Sequence, residues 1–233
     1  MKTLSEIETG IVSILKTKWE RREGLKVPEA EDVQLGNDAV ELEGTVLYAD
    51  LEDSTGLVLD YKDWFAAKLY KCYLLVACEL IRNNGGTITA FDGDRVMAVF
   101  IGKTKNSDAA RCALQINYTV QKVINVKIAE HYKDTSYKLS QAVGIDTGNL
   151  FIARTGIKGF NDLVWVGRAA NYAAKLCSLR EGDYNTYITE EVFEHLNDKS
   201  KYGGNPTRQM WEKMMWQERG ITVYRSSWWW NPE

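Results

Sequence analysis

Gly85-Gly86-Thr87-Ile88-Thr89-Ala90-Phe91-Asp92-Gly93-Asp94-Arg95-Val96-Met97-Ala98-Val99-Phe100 decides how the rest of the chain reads. Two runs rich in β-branched and aromatic residues, Thr87 to Phe91 and Arg95 to Phe100, flank Asp92-Gly93, a pair suited to a tight hairpin turn because glycine takes a positive φ without a steric cost. Just upstream, Tyr61, Trp64, Phe65, Leu69, Tyr73, Val76, Leu80 and Ile81 recur at spacings of three and four, which predicts a helix over 60–82, ended by Asn83-Asn84-Gly85-Gly86. Before that helix, Val46-Leu47-Tyr48-Ala49 is an apolar strand running into Asp50. Downstream, 107–129 reads as a second helix. Tyr137 to Ile145 alternates and is expected to pair with Asn149 to Arg154. Leu163 to Val166 is a strand, followed by a helix from Arg168 to Leu179. Thr186 to Ile188 is a strand, Thr189 caps a short helix, and 209–216 with 221–226 form a last hairpin.

The order strand, helix, hairpin, helix, hairpin predicts an α+β protein of ferredoxin-like plan, with an antiparallel-rich sheet and helices on one face, and not an alternating doubly wound sheet. At the N-terminus, Leu4, Ile7, Ile11, Ile14, Leu15 and Trp19 keep helical spacing up to a stop at Gly24. The polar stretch 26–37, with Pro28, reads as a linker. The expected organisation is an N-terminal helix and linker over 1–41 and one domain over 42–233 that includes a Trp-rich tail, Trp228-Trp229-Trp230, expected to pack or to form an interface.

Composition narrows the function. Apolar residues make up 45% of the 233, enough for an ordinary core. The net charge of −3 lacks the basic excess of proteins that live on phosphate backbones, so nucleic acid is not the expected partner. The four cysteines form no CxxC pair and read as reduced thiols of a cytoplasmic protein; His131 and His195 lack the neighbours a zinc site needs. No apolar run approaches the ~20 residues that span a bilayer, so no membrane partner is expected.

Asp50 ends a strand and Asp94 follows a hairpin turn, so their carboxylates can converge on one sheet edge. Hard cations such as magnesium need only one or two protein carboxylates when substrate phosphates complete the shell, and the Leu51 carbonyl could add an oxygen. The turn after Asp50 brings Ser54 and Thr55, whose amides suit a triphosphate. Singly, each acid reads first as an ordinary turn or strand-end carboxylate, since aspartate is common in turns.

Four blocks in order carry more. Tyr48-Ala49-Asp50-Leu51, the hairpin 85–100, Ala142-Val143-Gly144-Ile145-Asp146-Thr147-Gly148, and Gly167-Arg168-Ala169-Ala170-Asn171-Tyr172-Ala173-Ala174-Lys175-Leu176 resemble the class III nucleotidyl cyclase catalytic domain over residues 42 to 195. The resemblance implies that Asp50 and Asp94 hold two magnesium or manganese ions, one lowering the pKa of a ribose 3′-hydroxyl and one gripping a triphosphate. It implies that Asn171 orients the ribose, and that two copies of the chain form a homodimer with shared sites, Asp50 and Asp94 from one and Asn171 from the other.

The chain departs from the family pattern at three places. Lys175 stands where an arginine usually stabilises the transition state; it keeps the charge and loses the planar fork, and Arg168 or Arg154 could compensate. Ala90 and Val164 occupy the two purine-reading positions, and neither side chain can hydrogen-bond a base. Tyr48 replaces the usual phenylalanine and reads equally as base pocket or as core; Arg95 is a second polar candidate for the base, expected to point away from its neighbour Asp94. These departures and the tail resemble the bacterial pyrimidine cyclases of Pycsar anti-phage systems. That resemblance implies UTP as substrate and cyclic UMP as a messenger to a separate effector. Cyclic CMP, a purine cyclase with an altered pocket, a diguanylate-cyclase-like enzyme and a module that only binds nucleotide remain open.

Overall fold

The computed structural model describes residues 2–233. In chain order the elements are α1 (Leu4–Lys16), β1 (Glu20–Glu23), β2 (Asp38–Leu51), α2 (Ser54–Asp60), α3 (Asp63–Asn83), β3 (Thr87–Asp92), β4 (Arg95–Phe100), α4 (Lys105–Thr119), α5 (Asn125–His131), β5 (Gln141–Ile157), β6 (Phe160–Val166), α6 (Arg168–Leu176), β7 (Thr186–Thr189), α7 (Glu190–Glu194), α8 (Asp198–Lys201), β8 (Tyr202–Gly203), β9 (Arg208–Gln209), β10 (Glu212–Trp216) and β11 (Ile221–Ser226). The main sheet runs β10-β11-β7-β5-β2-β4-β3, with β1 on β2 and β6 on β5. Pairing is mostly antiparallel; β5 with β7 and β1 with β2 are parallel. This is the α+β, antiparallel-rich architecture that the order of elements predicts.

The chain divides into two compact units, Met1–Glu43 with Asn149–Gly167, and Gly44–Gly148 with Arg168–Glu233. In the first, Thr3 and Glu6 form a capping box that starts α1, and the helix buries none of its side chains. The predicted helix over 4–24 stops at Lys16; Glu20–Glu23 instead pairs with Asp38–Glu41. β-Ladder bonds outweigh a helical pattern carried beyond Lys16 by Trp19 alone. Within this unit Trp19 stacks edge-on against Phe151, with centroids 4.9 Å apart. The stretch read as a linker holds a 3-10 turn, Ala30–Asp32.

The second unit holds the large core. Leu47, Ala49, Val96, Ala98, Phe100, Val143 and Ile145 of the sheet pack with Leu69, Tyr73, Ala77 and Ile81 of α3 and Ala109, Ala113, Leu114 and Ile116 of α4. Each fully buried leucine or isoleucine contributes about 2 kcal/mol. The second predicted helix is present over 105–131 but is interrupted by one π-helical stretch, Val120–Ile124. The tail packs: Trp228 and Trp230 lie against the core, Trp230 N–H donates to the Leu114 carbonyl at 3.0 Å, and the Asn117 amide donates to the Trp228 carbonyl at 2.9 Å. Cys112 and Cys177 are buried, Cys78 is half-buried and Cys72 is exposed; all four thiols are free.

One predicted hairpin is absent. Residues 137–145 do not fold back on 149–154; β5 continues through Gly148 (φ +152°) and its antiparallel partner is β6, with Phe151 opposite Val166 and Ile157 opposite Phe160. Thr147-Gly148-Asn149 resembles a turn in composition, but Val143, Gly144 and Ile145 are held in parallel register with Thr186, Tyr187 and Ile188, which takes the place of pairing with 149–154.

Candidate active site

β2 is buried along almost its whole length, and Leu47, Ala49 and Leu51 anchor its end in the core. That anchoring fixes Asp50, the penultimate residue, which is 9% exposed. Asp94 stands in the turn between β3 and β4, directly after Gly93 (φ +63°). Burial pushes its carboxyl above the ordinary carboxylate range, against the pull of its own backbone N–H and the Ser54 hydroxyl, and the negative charge of Asp50 pushes it further. Asp94 Oδ2 is buried without a hydrogen-bond partner.

Two guanidinium groups converge on one oxygen of Asp50. Arg95 Nη2 donates to Asp50 Oδ2 at 3.0 Å, and Arg180 Nη2 lies 3.9 Å from the same atom. Arg95 does not point away from the acid pair as strict strand alternation predicts. Asp94 belongs to the turn, so alternation begins only at Arg95. Arg180 follows α6 and is held in place: Nη1 donates to the carbonyls of Cys177 at 2.5 Å and Leu179 at 2.9 Å, and Nε lies 3.6 Å from Glu52 Oε1. Glu52 is itself fixed by the Ser140 hydroxyl at 2.5 Å and by donating its N–H to the Ser140 carbonyl at 2.9 Å. Beneath them the Tyr73 hydroxyl is buried and unpartnered, and burial foremost pushes it well up, with Cys177, Asp50 and Asp94 adding.

The other sequence candidates take distinct places. Tyr48 is half-buried and opposite Met97; burial raises its hydroxyl while the Arg95 charge opposes that shift. Ala90 follows a bulge between Ile88 and Ala90 in β3 and also faces Met97 across the ladder. Leu51 is buried and closes β2. Ser54 and Thr55 open α2, whose cap Asp53 adopts a left-handed φ of +53° and accepts from the Gly56 N–H at 3.1 Å. Val164 lies on β6 in the first unit and is exposed.

α6 carries Asn171 and Lys175, both exposed. Among the described residues neither touches Asp50 or Asp94; Lys175 Nζ lies 3.6 Å from Glu218 Oε1. Neither proposed substitute arginine is unoccupied. Arg168 Nε donates to Asp146 Oδ2 at 3.2 Å, and its Nη2 donates to the Thr147 carbonyl at 2.9 Å and to Glu191. Arg154, in the first unit, donates to Asn161 at 2.7 Å and to the Val33 carbonyl at 3.4 Å. His131 and His195 each contact a backbone carbonyl four residues back, a structural role. The acid pair was legible in sequence; Arg180 and Tyr73 were not, because nothing local distinguishes an arginine after a helix or a tyrosine on an apolar helix face.

Among the described residues no group of three His, Cys, Asp or Glu side chains forms a closed metal site. The donor set fits a hard cation whose shell a phosphate completes: two neighbouring carboxylates, one with an orphaned buried oxygen.

No protein-family model matches the chain. Among solved structures it is similar to the guanylyl cyclase Cya2, at TM-score 0.67 and 18% identity over 82% of this chain and 95% of that one, and to the adenylyl cyclase CyaB from P. aeruginosa, at TM-score 0.65 and 20% identity over 81% and 95%. A class III adenylyl cyclase-like ATP-binding protein from Pseudomonas aeruginosa matches at TM-score 0.64 and 20% identity over 89% of this chain and 48% of that one. Sheet order and these likenesses define a class III nucleotidyl cyclase fold. In sequence the chain is 48% identical to a uridylate cyclase of Xanthomonas perforans over 97% of both proteins. It is 50% identical to one of Burkholderia cepacia over 92% of both, and 40% identical to one of Rhodovulum sp. over 100% of this chain and 99% of that one. The chain belongs to the uridylate cyclase family of nucleotidyl cyclase enzymes.

Proposed function

We propose that this chain converts UTP to 3′,5′-cyclic UMP and pyrophosphate with two divalent ions, magnesium or manganese, in a homodimer with shared active sites. The observation that carries this reading is the acid pair, Asp50 at the end of β2 and Asp94 in the β3–β4 turn, with Asp94 Oδ2 buried and unpartnered. Asp50 and Asp94 hold the ions, with the Leu51 carbonyl as a further oxygen. When bound, the ions supply Lewis-acid activation of the 3′-hydroxyl and offset the triphosphate charge. The 3′-oxygen forms a bond to the α-phosphorus as the bond to the bridging oxygen of the leaving pyrophosphate breaks. The protein's share is positioning and charge stabilisation. Asn171 and Lys175 serve the partner copy's acid pair, a role supported by their exposure and by the lack of any contact with their own, among the described residues.

Base choice falls to Tyr48, since Ala90 and Val164 have no polar atoms to offer. The Tyr48 hydroxyl is only half-buried and holds its proton, so it can donate to or accept from a pyrimidine edge. The names of the relatives favour uracil over cytosine. On this reading the product is a messenger in antiviral defence that acts on a separate effector.

The test is incubation of purified protein with ATP, GTP, UTP or CTP and Mn2+, with products separated by chromatography and mass. Cyclic UMP from UTP is expected, none from Asp50→Ala, and Tyr48→Ala is expected to lose the order of preference among bases. A cyclic purine from the wild type would overturn the base assignment; no product from any triphosphate would overturn the catalytic one.

A further inference from the structure

Asp50 is the most heavily compensated carboxylate of the site. One of its oxygens meets Arg95 at 3.0 Å and Arg180 at 3.9 Å, and both arginine side chains are partly shielded, 30% and 28% exposed. Arg180 is braced by two carbonyls and Glu52, so it stays in place whatever Asp50 binds. Arg95 is held differently: the Nη2 bond to Asp50 is the single hydrogen bond of its side chain among the described residues, and its Nε is buried with no partner. A divalent ion arriving at Asp50 therefore meets one fixed and one loosely held positive charge within a few ångströms. Like charges at such separations repel strongly where solvent screening is weak.

We propose that Arg95 and Arg180 keep the acid pair from taking up divalent metal on its own, so that metal enters stably only together with a polyphosphate, whose negative charges offset the two guanidinium groups. This rests on the reading of Asp50 and Asp94 as metal ligands. Arg180 is then a positioning residue that stays beside the phosphates, and Arg95 is the group displaced from Asp50 when the site fills. Neither role follows from the acid pair alone, which by itself would favour metal in the absence of nucleotide.

The test is Mn2+ binding to the nucleotide-free protein, followed by electron paramagnetic resonance of free Mn2+, on wild type, Arg95→Gln, Arg180→Gln and Arg180→Lys. Each glutamine variant is expected to bind Mn2+ about tenfold more tightly than wild type, the size of one like charge removed at this distance in a partly screened site; Arg180→Lys is expected to stay near wild type. Circular dichroism checks that each variant folds. Arg95→Gln disturbs no backbone contact and keeps the test decisive if Arg180→Gln unfolds by losing its bonds to Cys177 and Leu179. Unchanged or weaker binding in a folded Arg95→Gln overturns the proposal. Asp94→Asn and Asp50→Asn separate the two readings. If they abolish Mn2+ binding in the Arg95→Gln background, the metal site stands by itself. If they leave it intact, the metal assignment fails, and this proposal with it.

Discussion

Buried charges at the residue scale do not all serve the reaction. Asp146, fully buried, accepts from Thr189 at 2.6 Å and from Arg168, yet burial outweighs these partners and holds its carboxyl above the ordinary range. A group whose folded-state pKa is raised adds stability while protonated, and that stability is lost as pH rises through the raised value. Asp146→Asn removes this component. The melting temperature of the variant relative to wild type is therefore expected to climb as pH rises from about 4, the unfolded value, and to level off once the raised folded value is passed, whatever constant offset the amide brings. Calorimetry across that window checks it; a difference flat with pH would contradict the burial argument. Asp146 sits inside the block Ala142 to Gly148 that resembles the cyclase family, and the sequence marks the block without saying what the acid does. Its partners come from β7 and α6, and only the folded chain brings them together. Asp50 and Asp94 were readable because a strand end and a turn advertise themselves in composition. The arginines upon them were not, since their pairing depends on where the turn at Gly93 and the loop after α6 deliver two long side chains.

Elements show the same division. The helix predicted over 60–82 is present over 63–83, and the hairpin 87–100 is present with its turn shifted one residue to Gly93-Asp94, because amphipathic spacing and a two-residue turn are local signals. The hairpin expected from 137–145 and 149–154 is absent, because Val143 to Ile145 pair instead with β7, far away in sequence. Gly144 records the constraint: a Cβ there would run into the Ala173 carbonyl of α6 and the N–H of Cys177, the residue directly after it. β5 and α6 thus approach backbone to backbone, which fixes the helix that carries Asn171 and Lys175. Gly144→Ala is expected to cost about 3 kcal/mol, the upper end for overpacking, since backbone cannot rotate away. Chemical denaturation measures it, and a loss under 1 kcal/mol, the lower end of that range, would show that α6 shifts freely.

On the scale of the whole molecule, the proposed shared-site dimer makes two halves of one site from the acid pair of one copy and the exposed face of α6 of the other. On that arrangement, mixing Asp50→Ala with Asn171→Ala chains rebuilds one intact site in each mixed dimer. Random re-pairing then gives about a quarter of wild-type activity from two inactive proteins. Turnover of UTP after subunit exchange measures it, and silence in verified mixed dimers would place both halves of the site in one chain. Among the described residues no helix is long and apolar enough to cross a membrane.

The distribution of the four thiols offers a way to watch such an assembly. Cys112 and Cys177 lie in the core, and burial lifts the Cys177 thiol to about 12, leaving almost no thiolate for a labelling reagent at neutral pH. Cys78 is half-buried and its thiol is also raised by burial, while Cys72 stands exposed on the same helix, α3. The wild-type chain thus carries its own preferred attachment point for a spin label or fluorophore. In a symmetric pair, two labels at Cys72 report a single distance, and its change when substrate arrives would read the motion of one copy against the other without altering a residue.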